Sequence, residues 1–138
     1  MFKNILLATD GSEHSVRSAD HAIQLAENFD GRIEVVYVVD GQTSKQDVLH
    51  NTDKYELEQN RRAKVQGVKE VLERSNVEYQ INILHGEPGP TIVDHTNSGN
   101  FDCVVIGSRG LNNLQTMILG SVSHKVAKRV ECPVLIVK

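Results

Sequence analysis

Residues Lys3 to Val39 read KNILLATDGSEHSVRSADHAIQLAENFDGRIEVVYVV. The stretch opens on a short apolar run, Lys3 to Thr9, stopped by the turn residues Asp10-Gly11-Ser12. A run of that length between turn residues predicts a strand buried on both faces. Val16, Ala19, Ile23 and Ala26 then recur at spacings of three and four, the signature of one helical face. Ser12 and Glu13 supply its start signal and Gly31 its stop. Ile33 to Val39 is a second apolar strand. One strand, one helix and a second strand in this order form a parallel unit with a right-handed crossover.

The same alternation continues along the chain. Asp40 to Asp53 is polar and aperiodic, a loop. Leu57, Val65, Val68 and Leu72 predict one long amphipathic helix from about Lys54 to Arg74. Val77, Tyr79, Ile81 and Ile83 alternate with Glu78, Gln80 and Asn82, so the third strand has one wet face and lies near a sheet edge. Glu87-Pro88-Gly89-Pro90 leads into a short helix, about Pro90 to Asn97, and Cys103 to Ile106 is a fully apolar strand. A loop, Gly107 to Leu119, precedes a helix near Ser121 to Val130, and Pro133 to Val137 closes the chain as a fifth strand. The expected fold class is α/β: a doubly wound, open parallel sheet with helices on both faces, in one domain over residues 1–138. Ligands of such sheets sit beyond the carboxyl ends of the strands, where strand order reverses.

Composition narrows the function. The 138 residues carry 15 Lys plus Arg against 18 Asp plus Glu, a net charge of −3, with no Trp, three Tyr and three Phe. An acidic balance and few stacking aromatics argue against a nucleic-acid binder. Two cysteines, Cys103 and Cys132, make no disulfide framework. No apolar run reaches the ~18 residues of a membrane span, and no signal peptide opens the chain, so the expected compartment is the cytoplasm. The six histidines include no HExxH pair or Cys/His cluster and read as scattered surface or cap residues. His124 is the one to watch, because it closely follows the glycine loop.

That loop carries the chemistry. Gly107-Ser108-Arg109-Gly110 is followed by nine residues and then Gly120-Ser121-Val122-Ser123. Glycines let a backbone approach a ligand closely. Gly120, Ser121 and Ser123 fall at a helix start, where free N–H groups and a partial positive charge suit phosphate. Asp10, at the end of the first strand, either accepts from both ribose hydroxyls or closes an Asx turn onto Ser12, and a carboxylate has oxygens for both. Val38, at the end of the second strand, offers apolar contact to a base. No GxxxxGK[ST] run and no GxGxxG after the first strand occur, which sets P-loop NTPases and dinucleotide dehydrogenases aside.

Over its whole length the chain resembles the universal stress protein family, in its single-domain, ATP-binding form. The resemblance is carried by Asp10-Gly11-Ser12, by the glycine loop and by the closing Cys132-Pro133-Val134-Leu135-Ile136-Val137. Its most specific element is the family pattern Gly, two residues, Gly, nine residues, Gly, Ser, matched without a gap by Gly107, Gly110, Gly120 and Ser121. The resemblance implies a five-stranded sheet in the order 3-2-1-4-5, with ATP, ADP or AMP, alone or with Mg²⁺, between strands one and four. It places Asp10 and Gly107 at the ribose and Ala8, Val38 and Ile106 at the adenine. Gly110, Gly120, Ser121, Val122 and Ser123 would cradle the phosphates, with Arg109 near them. It further implies a homodimer joined through the fifth strand, Val134 to Val137, which is apolar and would otherwise leave a bare sheet edge. The function implied is a nucleotide-binding stress-response or regulatory protein with a protein partner the sequence does not name. A slow ATPase or nucleotide-transferring enzyme and a nucleotide-independent interaction module are the alternatives, and no catalytic residue is placed by the sequence.

Overall fold

The computed structural model describes residues 1–40, 54–108 and 120–138. In chain order the elements are β1 (Asn4–Thr9), α1 (His14–Phe29), β2 (Arg32–Val39), α2 (Lys54–Lys64), α3 (Gln66–Glu73), β3 (Glu78–His85), α4 (Pro88–Ser98), β4 (Cys103–Gly107), α5 (Ser121–Arg129) and β5 (Val134–Val137). The five strands form one sheet in the order β3-β2-β1-β4-β5. Every pairing is parallel. This is the doubly wound order expected from the alternation of elements and from the resemblance.

The sheet separates two apolar layers. Ile5, Leu7, Ile33, Val35 and Val105 point to the side covered by α1 and α3, where they meet Ala19, Ala22, Ala26, Val68 and Leu72. Leu6, Ala8, Val36, Val104 and Ile106 point to the side covered by α4 and α5, against Ile92, Val93, Val126 and Val130. Each fully buried aliphatic side chain contributes roughly 1.5–3 kcal/mol relative to exposure. β1 has neighbours on both edges and helices on both faces, so Ile5, Leu6 and Leu7 are wholly buried. β3, at the edge, keeps only partial burial along its length, as its alternation predicts.

Three local expectations need correction. The long helix of residues 54–74 is two helices, broken at Val65 (φ −104°, ψ 3°). Val65 is buried against Tyr37 and Val39 near the end of β2, whereas α2 buries no side chain. The chain therefore turns inward at Val65. Second, the left-handed residue that ends α1 is Asp30 (φ 53°), and Gly31 serves a different need. A Cβ on Gly31 would lie 2.4 Å from the carbonyl oxygen of Phe2. Third, α1 starts where Ser12-Glu13 placed it, but without a side-chain cap. The backbone N–H of Ser12 donates to Asp10 Oδ1 at 2.9 Å, and Ser15 N donates to the Ser12 carbonyl at 3.1 Å. The polar stretch from residue 41 to 53 lies outside the described residues.

Candidate functional site at the carboxyl ends of β1 and β4

β1 and β4 separate at their carboxyl ends. The β1–β2 register runs on to Thr9↔Tyr37 and the β4–β5 register to Gly107↔Val137, yet the β1–β4 register stops at Leu7↔Val105. The chain winds one way from β1 to β2 and the other way from β1 to β4. This is the reversal point at which doubly wound sheets hold ligands.

The wall on the β1 side is the turn after the strand. Asp10 Oδ1 accepts from Ser12 N at 2.9 Å and from Ser15 Oγ at 3.1 Å, while Ser15 Oγ accepts from Asp10 N at 3.3 Å. The Asx turn is thus present, and it fixes the carboxylate at the rim. Gly11, with φ +84°, makes the turn possible. Ser12 Oγ is buried and has no hydrogen-bond partner among the described residues. An unpaired buried hydroxyl costs about 1–3 kcal/mol.

The wall on the β4 side is the start of α5. Ser108 N donates to the Val137 carbonyl at 2.8 Å and Gly120 N to the Ser108 carbonyl at 3.3 Å. The chain therefore leaves and returns at one point. Ser123 Oγ donates to the Gly107 carbonyl at 2.5 Å, which ties the first turn of α5 to the end of β4. That hydroxyl proton is spent inside the protein, so Ser123 offers only its backbone N–H as a donor at this helix start. The first intrahelical donor is His124 N, bonded to the Gly120 carbonyl at 2.9 Å. The N–H groups of Ser121, Val122 and Ser123 come before it; among the described residues no side chain caps them, and no acidic residue sits in the first turn. Such an end accepts an anion. Gly120 is informative here. Its φ of −63° suits any residue, and an added Cβ would make only an ordinary 3.5 Å contact with Ser108 O. Among the described residues nothing in the fold requires glycine at this position.

The floor is apolar. Ala8 and Ile106 belong to one buried cluster, and Val38 and Val122 pack against it. Of the residues singled out in the sequence, Ala8, Val38, Ile106 and Val122 share one apolar cluster, Gly107 is tied to Ser123 and Ser108 to Gly120 at the start of α5, and Asp10 stands at the carboxyl end of β1. Arg109 and Gly110 lie outside the described residues. Sequence reading missed Ser15, which holds the Asp10 carboxylate, and the unsatisfied state of Ser12 Oγ. The i+5 spacing of Asp10 and Ser15 was the available signal for the first. Among the described residues no group of three or more His, Cys, Asp or Glu side chains is arranged to hold a metal. His124 is exposed in the first turn of α5. Burial, with Cys132 nearby, pushes the Cys103 thiol up to about 11, and burial raises Cys132 as well, so both stay protonated and poorly nucleophilic at neutral pH.

At the far edge of the sheet, β5 pairs with β4 alone, and its Leu135 is 36% exposed. Among the described residues no helix is long and apolar enough to cross a membrane.

Comparison with known proteins gives one answer. The model of the universal stress protein family matches residues 1–138. A universal stress protein of Methanocaldococcus jannaschii is 35% identical over 144 residues, covering 100% of this chain and 83% of the relative. Among solved structures, that of hypothetical protein MJ0577 superposes with a TM-score of 0.84 at 30% identity, covering 100% of this chain and 96% of the other. A universal stress protein in complex with cAMP superposes at 0.75 with 25% identity, covering 99% of this chain and 97% of that one.

Proposed function

The chain belongs to the universal stress protein family, and from that premise we propose that it is an ATP-binding regulatory protein of the stress response. The nucleotide lies in the opening between β1 and β4. The adenine rests on Ala8, Val38 and Ile106, and Asp10 with Gly107 takes the ribose. The phosphates would meet Gly120, Ser121, Val122 and Ser123, with Arg109 and Gly110 as further phosphate-binding residues, and Mg²⁺, where bound, would neutralise phosphate charge. The observation that carries this reading is Gly120: a glycine the described fold does not need, placed at the start of α5 beside the point where strand order reverses. A side chain there would occupy the space of a phosphate. The complex of a family member with cAMP supports an adenine nucleotide as the ligand class.

The working unit we propose is a cytoplasmic homodimer of the 1–138 domain joined along β5. Pairing a second copy to this edge would cover Leu135 and satisfy its open backbone groups. Binding or loss of nucleotide would then change what the dimer presents to a protein partner.

The test begins with purified protein. Denaturing it should release adenine nucleotide, and added ATP should raise its melting temperature. Gly120→Val should abolish both effects while the melting temperature of the ligand-free protein shifts by no more than a few degrees. Wild-type protein that neither releases nucleotide nor responds to ATP would sink the proposal.

A further inference from the structure

We infer that Lys64 is an additional binding residue of this opening, meeting the anionic part of the nucleotide; the inference rests on the nucleotide reading above.

The sequence leaves this cation without a local partner. On a helix a lysine pairs with carboxylates three or four residues away. Around Lys64 those positions hold Asn60, Arg61, Gly67 and Val68. Arg62, by contrast, bonds Glu58 at 3.0 Å, and Lys69 lies 4.0 Å from Glu73. Among the described residues Lys64 joins no ion pair.

The break at Val65 decides where this cation sits. Val65 is buried against Tyr37 and Val39, which anchors the backbone immediately after Lys64. The Lys64 stem then lies across the turn after β1. A Cβ on Gly11 would be 3.2 Å from both Cβ and Cδ of Lys64 and 3.3 Å from its carbonyl oxygen. Gly11 separates Asp10 from Ser12, so the stem packs on the turn that carries the carboxylate proposed for the ribose. A cation in the last turn of α2 is favoured by that helix's carbonyl end. The same turn carries Ser12 Oγ, buried and unpartnered. A lysine ammonium binds phosphate as a point charge, without the fixed geometry an arginine requires. Its attraction therefore grows with the charge of the ligand.

The experiment is calorimetric titration of the full chain with ATP, AMP and adenosine at low and high salt. Lys64→Met keeps the stem and removes the charge, and Lys69→Met is the control on the neighbouring helix. Lys64→Met should weaken ATP about three- to five-fold at low salt, as for a partly exposed charge pair. AMP should lose less and adenosine nothing, and high salt should erase the difference. Lys69→Met should match wild type throughout. If Lys64→Met binds ATP as wild type does, or loses ATP and adenosine equally, the inference is wrong although the nucleotide reading stands. If wild type binds none of the three ligands, the nucleotide reading fails and takes the inference with it.

Discussion

At the amino ends of the strands, the Asp102 carboxylate accepts hydrogen bonds from the backbone N–H groups of Lys3 at 2.8 Å and Asn4 at 2.9 Å. Asp102 N returns a bond to the Asn4 carbonyl at 2.8 Å, and Arg32 N bonds the Lys3 carbonyl at 2.8 Å. Gly31 fits there because any side chain would strike the Phe2 carbonyl. At the carboxyl ends the same residue types serve differently. Asp10 is held by Ser12 and Ser15, Ser12 Oγ has no partner, α5 starts uncapped, and Gly120 has room for a Cβ. The amino rim spends its polar groups on itself, whereas among the described residues the carboxyl rim leaves Ser12 Oγ and the first N–H groups of α5 unspent. Glycine or aspartate therefore carries no functional meaning by itself. What distinguishes the two rims is whether the protein's own atoms already fill the space and the bonds.

The contrast can be broken most forcefully at Gly31. Gly31→Ala puts a Cβ 2.4 Å from the Phe2 carbonyl oxygen, with Lys3 O at 3.0 Å and Lys3 Cα at 3.2 Å. These are backbone atoms, so relief requires moving the start of β1. Overpacking of this kind costs about 2–3 kcal/mol, to be read from the urea midpoint. A loss below about 0.5 kcal/mol would mean that the closed rim is soft. Asp102→Ala comes next. It removes the shared acceptor of two backbone N–H groups. Water reaches this partly exposed site, so the expected loss is about 1–2 kcal/mol, below the upper range for bonds to a charged group. Gly120→Val, tested above for ligand binding, should cost far less stability than either.

Much of this contrast was legible beforehand, for a physical reason. Periodicity reports which side chains are buried, so the strands, the edge position of β3 and the order of elements followed from Val, Ile and Leu spacing. The glycine pattern and the strand ends likewise pointed to the carboxyl ends of β1 and β4, where the sheet reverses. Contacts between distant segments were not legible. Nothing in residues 54–74 says that Val65 turns inward onto Tyr37 and Val39, because the apolar spacing continues across the break. Lys64 was unremarkable for the same reason, since its neighbour Gly11 is far away in sequence. Gly31 was read as a helix stop because glycine usually supplies a left-handed residue there. Here Asp30 takes that conformation, and glycine is kept for a carbonyl belonging to another segment. Ser123 carries a hydroxyl at the helix start expected to meet phosphate, but its proton goes to Gly107 O. A sequence shows a hydroxyl without showing where its hydrogen points.

Ser12 gives the smallest and most discriminating effect. Its hydroxyl is buried and bonds to nothing among the described residues, while its backbone N–H already closes the Asp10 turn. Ser12→Ala keeps that backbone bond and removes only the unsatisfied group. Deleting a buried hydroxyl that has a partner destabilises by about 1 kcal/mol, whereas deleting one that lacks a partner relieves its desolvation cost. The ligand-free protein should therefore gain up to about 1 kcal/mol, or stay within about 0.5 kcal/mol of wild type, by urea denaturation. A clear loss would show that the hydroxyl is already spent, as at the amino rim, and the contrast between the rims would fail at this residue. A gain in stability together with weaker ATP binding would sharpen it, because the cost carried by the empty site would then be the same bond the ligand recovers.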